Sequence, residues 1–380
     1  MEGGVPVARL FGFEIRVSIA WIVLVALVTM IGAEQAGLAS PDLAPVLQWI
    51  VGVGVAAGFL LSVIAHELAH ALVGRGRGVN QRTIVLGFLG GLAPLSIEAA
   101  QPTDEFVIAV AGPLVSLALG VTALTGGGLI GVASDGLAPI AGGVIVVGGL
   151  NLLLGILSLA PGLPLDGGRI VRSLVWYRSG DPVRAGLATA RLGRIVGYGA
   201  TALGIVLALI GAASIGLLVL ALGWMLTNGA RALDRRSRLE ITLRGVPVRD
   251  AMDRNPAWVG PHLTIDTFAD RFSGEGAVSV LAVVDHDTVL GVLGVQRIRR
   301  LGRRKVASTR AGEAMASPPL VPFLSPDADL ASAIDVLGRP GLDGLAVVAD
   351  GRLEGMLTRQ SLAAVVAARS GAGAVPGARA

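Results

Sequence analysis

Long apolar segments dominate the first 230 residues of the chain. Each is close to the roughly 20 residues that a helix needs to cross the hydrocarbon layer of a bilayer. Runs of this length are typical of membrane spans rather than of buried helices in soluble domains. The predicted spans cover residues 17–36, 46–73, 105–126, 137–160, 193–211 and 213–230. The pattern therefore predicts an α-helical polytopic membrane domain with six transmembrane helices over residues 1–230.

The charged residues divide the chain at the same place. Residues 1–230 carry 11 Arg and 11 Asp or Glu, whereas residues 231–380 carry 20 Lys or Arg and 16 Asp or Glu. The net charge of +4 therefore belongs to the second part, which has the charge content of a soluble domain. This division excludes an ordinary cytosolic enzyme and a disordered chain. The absence of cysteine excludes a disulfide scaffold and cysteine-ligated zinc.

Basic residues occur on one side of the predicted spans only. Arginines precede the first span, follow the second, separate the fourth from the fifth and follow the sixth. Because cytoplasmic loops are enriched in Lys and Arg, both termini are expected to be cytoplasmic. The net positive charge comes from the second part, where the arginines from Arg231 to Arg310 are interpreted as a juxtamembrane positive face, so no nucleic-acid partner is expected. The acidic residues at the start of the third span are interpreted as interfacial caps: Glu98, Asp104 and Glu105.

Residues 83–92 interrupt the helical pattern with the sequence Thr-Ile-Val-Leu-Gly-Phe-Leu-Gly-Gly-Leu. β-Branched residues followed by glycines favour a short β-hairpin. The segment is apolar but too short to cross a bilayer, so we expect a re-entrant element held against protein. A plain loop is the alternative interpretation.

The second span ends with a candidate metal-binding motif, His66-Glu67-Leu68-Ala69-His70. On a helix this spacing places both imidazoles on one face, where they can bind one metal, with Glu67 beside them. They are the only histidines of residues 1–230. The alternative is a pair of core histidines beside a buried glutamate. Such a cluster without a metal or partners is costly in lipid.

Asp166 is the candidate for a third metal ligand. Catalytic zinc is held by three protein ligands, which leaves one position open for water. Asp166 follows a Pro- and Gly-broken stretch at the end of the fourth span, at the membrane depth of His66 and His70. The glycines after it, Gly167 and Gly168, allow the backbone to approach a metal closely. A turn residue or helix cap is the alternative.

Three segments carry a resemblance to a known family. They are His66-Glu67-x-x-His70, Ala111-Gly112-Pro113 and residues 161–169, Pro-Gly-Leu-Pro-Leu-Asp-Gly-Gly-Arg. Together they are similar to the site-2 protease family of intramembrane zinc metalloproteases. The resemblance implies that His66, His70 and Asp166 bind one Zn²⁺ and that Glu67 is the general base.

The resemblance also implies a substrate and a location. The reaction would be hydrolysis of a peptide bond in or near a transmembrane segment of another membrane protein, as in regulated intramembrane proteolysis. By analogy the substrate is a single-span membrane protein such as an anti-sigma or pro-sigma factor. The expected location is the plasma membrane of a prokaryote.

The chain departs from the family pattern at Ser158. Members usually carry Asn three residues before the first proline of the segment that contains Asp166, and this Asn is thought to orient substrate or stabilise an oxyanion. Ser158 can still donate one hydrogen bond over a shorter reach. Asn151, two helical turns earlier, is a candidate substitute, and an interhelical hydrogen bond is its alternative role.

Gly90 and Gly91 match a Gly-Gly element of the same family. A transmembrane helix must unwind before its peptide bonds can be cleaved. An exposed strand edge at these glycines can then hold the unwound segment by β-addition. We therefore expect Gly90 and Gly91 to take part in docking the substrate strand.

The soluble tail contains an internal repeat. Leu281-Ala282-Val283-Val284 and Gly291 recur 64 residues later as Leu345-Ala346-Val347-Val348 and Gly355. One such unit alone cannot bury its core. The repeats resemble a tandem pair of CBS domains with an α/β fold. The predicted parts are a basic juxtamembrane linker, two CBS repeats and a disordered tail at residues 231–243, 244–304, 305–367 and 368–380.

Tandem CBS pairs often bind adenine nucleotides, but the usual signature Gly-x-x-Thr-x-x-Asp is incomplete here. The first repeat lacks both polar residues after Gly291. The second has Thr358, with Ser361 in the position of the acid. Thr358 is therefore a nucleotide-binding candidate, and a packing or homodimerisation module is the alternative.

Two other classes of function stay open. A catalytically impaired member of the family, indicated by Ser158, would act as a membrane scaffold. A transporter with a regulatory CBS tail would show internal symmetry or ionisable residues along a path. The intramembrane charges instead gather at one point, which favours the protease.

Overall fold

The structure is a computed structural model that describes residues 4–79, 83–87, 90–91, 99–269, 278–301, 303–318, 321–338 and 342–372. The chain divides into two compact units, Met1–Arg235 and Arg236–Ala380. The boundary between the two units lies close to residue 230, where the membrane domain is predicted to end. The predicted tail at 368–380 lies outside the described residues from residue 373 onward.

Long helices make up most of the first unit. In the described part of the chain, six of them are long and apolar enough to cross a membrane, namely all those below except α5. The prediction of a six-helix membrane domain is therefore confirmed. The helices are α1 (Ala20–Ala39), α2 (Pro45–Gly76), α3 (Pro102–Ala133), α4 (Ala138–Ser158), α5 (Asp166–Ser179), α6 (Pro182–Leu209) and α7 (Ala213–Leu243).

All the spanning helices except α4 begin earlier or end later than the apolar runs, because local signals set their ends. Proline occupies the first turn of α2, α3, α4 and α6, where its missing N–H is not needed. Helix α6 starts at Pro182 because the Asp181 carboxylate accepts hydrogen bonds from the backbone N–H groups of Val183 and Arg184. At its other end, α7 continues through residues 231–243, so the predicted basic linker is helical.

Small residues allow α3 and α4 to approach closely. A Cβ atom at Gly120 would lie 2.7 Å from the Leu152 side chain, and one at Gly148 would lie 2.8 Å from the Leu124 backbone nitrogen. A Cβ at Gly155 would similarly lie 2.8 Å from Leu117. Close backbone approach of this kind is how helices associate in lipid, where the hydrophobic effect provides no driving force between them.

A small sheet packs beside the membrane helices. Its strands are β1 (Val5–Leu10), β2 (Phe13–Val17), β3 (Thr83–Gly87) and β4 (Gly90–Gly91), in that order across the sheet. β1 and β2 form an antiparallel hairpin, β2 and β3 are parallel, and β3 pairs antiparallel with β4. The Nε1 atom of Trp21 donates to the carbonyl of Gly87 over 2.8 Å, which ties the end of β3 to α1.

The segment at residues 83–92, for which a hairpin is predicted, belongs to a larger sheet of four strands. An antiparallel strand pair is present in this segment, although Phe88, Leu89 and Leu92 lie outside the described residues. The sequence interpretation missed the hairpin β1–β2, whose signal is the alternation of buried Phe13 and Ile15 with charged neighbours. Re-entry of the segment into the membrane stays a prediction.

The second unit repeats one α/β arrangement. Strands β6 (Val280–Asp285) and β7 (Thr288–Gly294) pair antiparallel, as do β8 (Gly344–Ala349) and β9 (Arg352–Thr358). Each pair has a register shift at the same point of the repeat, after Val283 and after Val347. The other elements are β5 (Trp258–Val259), α8 (Val295–Leu301), α9 (Arg303–Val306), α10 (Ala311–Ala314), α11 (Ile334–Leu337) and α12 (Arg359–Ala372).

The two repeats pack across one another. A Cβ at Gly355 of the second repeat would lie 2.7 Å from the Met252 sulfur of the first. Reciprocally, a Cβ at Gly291 of the first repeat would lie 3.1 Å from the Met315 sulfur of the second. Each repeat therefore packs against the other, which agrees with the expectation that one repeat alone cannot bury its core.

Candidate metal centre

The two histidines of the motif point their ring nitrogens to a common place. His66 and His70 lie one turn apart on α2, and their Nε2 atoms are 3.2 Å apart. The rings meet edge to face, with centroids 4.9 Å apart and an interplanar angle of 75°. His66 is buried. The geometry therefore follows the i,i+4 spacing of the sequence.

Helix α3 orients both rings through their Nδ1 atoms. The Nδ1 atom of His70 donates to the carbonyl oxygen of Ile108 at 2.6 Å. The Nδ1 atom of His66 lies 2.8 Å from the hydroxyl oxygen of Ser116. Because a neutral imidazole carries one N–H, donation from Nδ1 leaves the Nε2 lone pair of His70 free to bind a cation.

Asp166 completes the group at the start of α5. Its Oδ2 atom lies 3.3 Å from His66 Nε2, and its Oδ1 atom lies 3.3 Å from His70 Nε2. Burial raises the pKa of Asp166, but the electrostatic interaction with the adjacent His70 and His66 rings outweighs burial and holds this pKa below its ordinary value. Asp166 is therefore a carboxylate at neutral pH.

The donor set and its spacing fit zinc. Two imidazole nitrogens and a carboxylate are a ligand set typical of catalytic zinc sites. Ligand atoms about 2.0–2.1 Å from a tetrahedral zinc ion stand roughly 3.3 Å apart. The two Nε2 atoms are 3.2 Å apart, and each lies 3.3 Å from a different oxygen of the Asp166 carboxylate. Among the described residues, His66, His70 and Asp166 are a group with the proximity needed to hold a metal ion.

Gly112 leaves the space in front of the histidines open. A Cβ atom at this position of α3 would lie 2.2 Å from His70 Nε2 and 2.6 Å from His66 Nε2. Any side chain would therefore press on the proposed ligand atoms. The sequence alone indicates no physical role for the Ala111-Gly112-Pro113 motif, and the structure provides one for its glycine.

Glu67 belongs to the same turn of α2 and is half-buried. Its carboxylate interacts electrostatically with the His70 ring. A carboxylate beside a metal group is suited to proton transfer from water. The structure therefore places Glu67 beside the histidine pair.

The glycines after Asp166 serve the loop that precedes it. A Cβ at Gly167 would lie 2.1 Å from the carbonyl oxygen of Leu159, and one at Gly168 would lie 2.6 Å from the backbone of Gly162. They therefore let residues 159–165 fold back on the first turn of α5. Their contacts are with this loop, whereas the expectation from the sequence was close approach to the metal.

The structure leaves the two oxyanion candidates bonded within their own helix. The Ser158 hydroxyl donates to the carbonyl of Gly155 at 3.0 Å. The Asn151 side chain is fully buried and donates to the carbonyl of Val147 at 2.9 Å. In the described part of the chain the Asn151 Oδ1 atom has no hydrogen-bond partner. A role for either residue in substrate orientation stays a prediction.

The remaining candidates lie away from the metal group in the sequence. Gly90 and Gly91 form strand β4, opposite Gly87 and Leu86 of β3. The Thr358 hydroxyl lies 2.7 Å from the Ser361 hydroxyl, and the Thr358 backbone N–H donates to the same atom. These bonds describe a local turn at the start of α12, and nucleotide binding stays a prediction.

The interpretation of Glu105 as an interfacial cap is wrong. Glu105 is only 2% exposed and forms a bidentate ion pair with Arg172 of α5. Its neighbour Asp104 pairs with Arg77 at 2.7 Å in a more exposed position. From sequence, two adjacent acids at a span end gave no signal for which one faces inward.

Comparisons with known proteins show the family of the chain. The profile of peptidase family M50 matches residues 54–144, and the CBS domain profile matches residues 248–303 and 311–368. "Putative zinc metalloprotease Rip3" of Mycobacterium tuberculosis is 32% identical over 379 residues, which covers 96% of this chain and 93% of that protein. "Putative zinc metalloprotease sll0528" of Synechocystis is 30% identical over 369 residues, 95% of each chain.

A solved structure titled "Site-2 Protease from Methanocaldococcus jannaschii" is 25% identical, covering 61% of this chain and 95% of that chain with a TM-score of 0.42. The family profile, together with relatives that match nearly the whole chain, shows that the chain belongs to peptidase family M50, the site-2 protease family. More particularly, it is a multi-pass membrane metalloprotease that carries a C-terminal tandem CBS pair.

Proposed function

We propose that the protein is a zinc-dependent intramembrane endopeptidase in which His66, His70 and Asp166 hold the ion. The observation that carries the proposal is the convergence of two Nε2 atoms and one carboxylate at separations of 3.2–3.3 Å. Zinc bound by these residues supplies a Lewis acid that polarises the scissile carbonyl and lowers the pKa of water.

The chain's own residues provide orientation and proton transfer. Ser116 and the Ile108 carbonyl hold the histidine rings, so the ligand nitrogens face Asp166 before substrate arrives. Glu67 accepts a proton from the attacking water and returns it to the leaving amine. General acid–base catalysis of this kind contributes typically about 10²–10⁴-fold in rate.

The proposed substrate is a single-span membrane protein, of the anti-sigma or pro-sigma factor type by analogy. The histidines lie on α2, which is apolar and long enough to span the membrane, so the scissile bond must reach that helix. An unwound peptide in lipid needs partners for its N–H and C=O groups. Strand β4 ends the described sheet, and its Gly90–Gly91 edge offers such partners by β-addition.

We place both termini in the cytoplasm of a prokaryotic cell. The loops at residues 40–44, 134–137 and 210–212 contain no Lys or Arg, which supports an outer position for them. Because the chain has no cysteine, single cysteines can report sidedness. The Asp42→Cys variant should react with an impermeant reagent in intact cells, whereas the Arg178→Cys variant should react only after lysis. The reverse result contradicts the proposed orientation.

For the CBS pair we propose a packing and homodimerisation role. The Thr358 and Ser361 hydroxyls already bond to each other, which supports this role over nucleotide binding. Light scattering on the purified chain should give a dimer mass. Calorimetric titration should show no saturable heat with ATP or AMP. Binding that Thr358→Val abolishes would instead establish an adenine nucleotide site.

Zinc content of the detergent-purified protein tests the central proposal. Wild type should hold about one zinc ion per chain, as three protein ligands and one metal imply. His70→Ala and Asp166→Ala should lose it, whereas His286→Ala, at an exposed turn of the CBS pair, should keep it. A folded wild type without zinc overturns the metalloprotease mechanism and favours the scaffold alternative.

A further inference from the structure

A buried ion pair links α3 to α5. The Arg172 Nε atom donates to Glu105 Oε1 at 2.9 Å, and its Nη2 atom donates to Oε2 at 3.0 Å. Arg172 is 9% exposed and Glu105 is 2% exposed. Burying two charges rarely adds net stability compared with apolar residues, because both lose their hydration. The bidentate geometry does fix how the two helices face each other.

The same face of α3 orients the other two proposed ligands. Glu105, Ile108, Gly112 and Ser116 follow one another at intervals of three or four residues, so they line one stripe of the helix. Ile108 holds His70, Ser116 holds His66, and Gly112 keeps the space between them clear. Glu105 is the remaining polar member of this stripe, and its partner lies on the helix of Asp166.

Arg172 is well placed to control Asp166. Asp166 is the first residue of α5, and Arg172 follows it by less than two turns. The preceding residue, Leu165, provides no side-chain cap for the helix. A rotation or shift of α5 therefore moves the Asp166 carboxylate relative to the histidines unless another contact fixes the helix. The ion pair is such a contact.

We propose that Glu105 and Arg172 are positioning residues that hold Asp166 in register with the two histidines. This inference rests on the proposed function, since it assigns Asp166 as a zinc ligand. Through the ion pair, one helix sets the orientation of all three ligands. Neither residue touches the metal or the substrate.

Zinc affinity of the purified full-length chain, measured by competition with a chromogenic chelator, tests this role. Glu105→Gln and Arg172→Gln should each weaken zinc binding by on the order of 10-fold or more, as loss of an outer partner of a metal ligand does. The double variant should lose less than the two single losses combined, because no unpaired charge stays buried. Asp104→Asn, at the adjacent exposed pair, should match wild type.

A second comparison separates positioning from general destabilisation. An Asp166→Asn background should lose zinc on purification but still bind added zinc weakly through the two histidines. In this background Arg172→Gln should cost no further zinc affinity, because the ligand that it positions is already gone. A general loosening of the fold would weaken the histidine pair as well. If Arg172→Gln does not fold, Arg172→Lys, which keeps the charge but loses the bidentate fork, should fold and bind zinc with intermediate affinity.

The outcomes distinguish this inference from the proposed function. Wild type without zinc defeats the proposed function. Wild type with zinc, together with folded Glu105→Gln or Arg172→Lys variants of unchanged affinity, overturns the positioning role alone. An equal loss from Arg172→Gln with and without Asp166 also overturns it.

Discussion

The Nδ1 atom of His70 donates to the carbonyl oxygen of Ile108 across 2.6 Å, and this contact decides which nitrogen of the ring faces Asp166. Because the acceptor is a backbone carbonyl, no substitution of Ile108 removes it directly. The equivalent partner of His66 is a side chain, Ser116, so the same principle can be tested there.

Ser116→Ala should weaken zinc binding on the order of 10-fold while the protein still folds. The substitution removes the hydroxyl that contacts His66 Nδ1 and frees the ring to change tautomer. Chelator competition measures the loss. Ser62→Ala is the control, because that buried hydroxyl donates to Phe59 on its own helix. Equal effects of both variants would show that the Ser116 contact does not orient the ligand.

Gly112→Ala should abolish zinc binding. The new methyl group would lie 2.2 Å from His70 Nε2, well inside contact distance, so the ring or α3 must move. Metal analysis of the purified variant checks this. Gly54→Ala on α2 is the matched control, since a Cβ there meets nothing within 4 Å. A Gly112→Ala protein with one zinc ion would contradict the proposed position of the metal.

Glu67→Gln should keep zinc and lose proteolysis. The amide cannot accept a proton from water, so turnover should fall by about 10²–10⁴-fold or more. Membranes from cells that carry this variant should accumulate uncleaved single-span proteins, which comparison by mass spectrometry can identify. Full biological function of Glu67→Gln would instead support the scaffold alternative.

Removal of the metal should stop the reaction reversibly. Incubation with a strong chelator should abolish cleavage of a substrate found with Glu67→Gln, and added zinc should restore it. His70→Ala should show no recovery under the same conditions. Persistent cleavage in a chelated, zinc-free sample would rule out the metal mechanism.

Gly291→Val should destabilise both CBS repeats together. Its side chain would press on Ala316 and on the Met315 sulfur of the other repeat, at 2.5 and 3.1 Å from the new Cβ. Overpacking of this kind costs about 1–3 kcal/mol. Thermal unfolding of the full chain should show one shifted transition for the tail. Gly260→Ala, with nothing within 4 Å of its Cβ, should leave it unchanged.

The metal group was accessible from sequence because its residues obey local rules. His66 and His70 are one helical turn apart, and Asp166 follows a Pro- and Gly-broken loop at the same membrane depth. The histidine pair depends on spacing within one segment, and the candidacy of Asp166 depends on the end of one span and its depth in the membrane. The long apolar runs likewise predicted all six spanning helices, since burial in lipid depends mainly on hydropathy.

The rest depends on which segments meet in space. The parallel pairing of β2 with β3 joins residues nearly 70 positions apart, from Glu14 to Thr83, and no local pattern specifies it. Glu105 and Arg172 are likewise on separate helices. The start of α6 at Pro182 was missed for a different reason, since the hydropathy of the run hid a local cap at Asp181.

The reciprocal contacts of the CBS repeats limit how this tail can be rearranged. Met252 of the first repeat fills the space above Gly355 of the second, and Met315 of the second fills that above Gly291 of the first. A gene fusion, deletion or exchange that separates the two repeats would leave an exposed apolar face on each of them. The tail is therefore expected to be inherited, lost or transplanted between proteins as a pair, never as a single repeat.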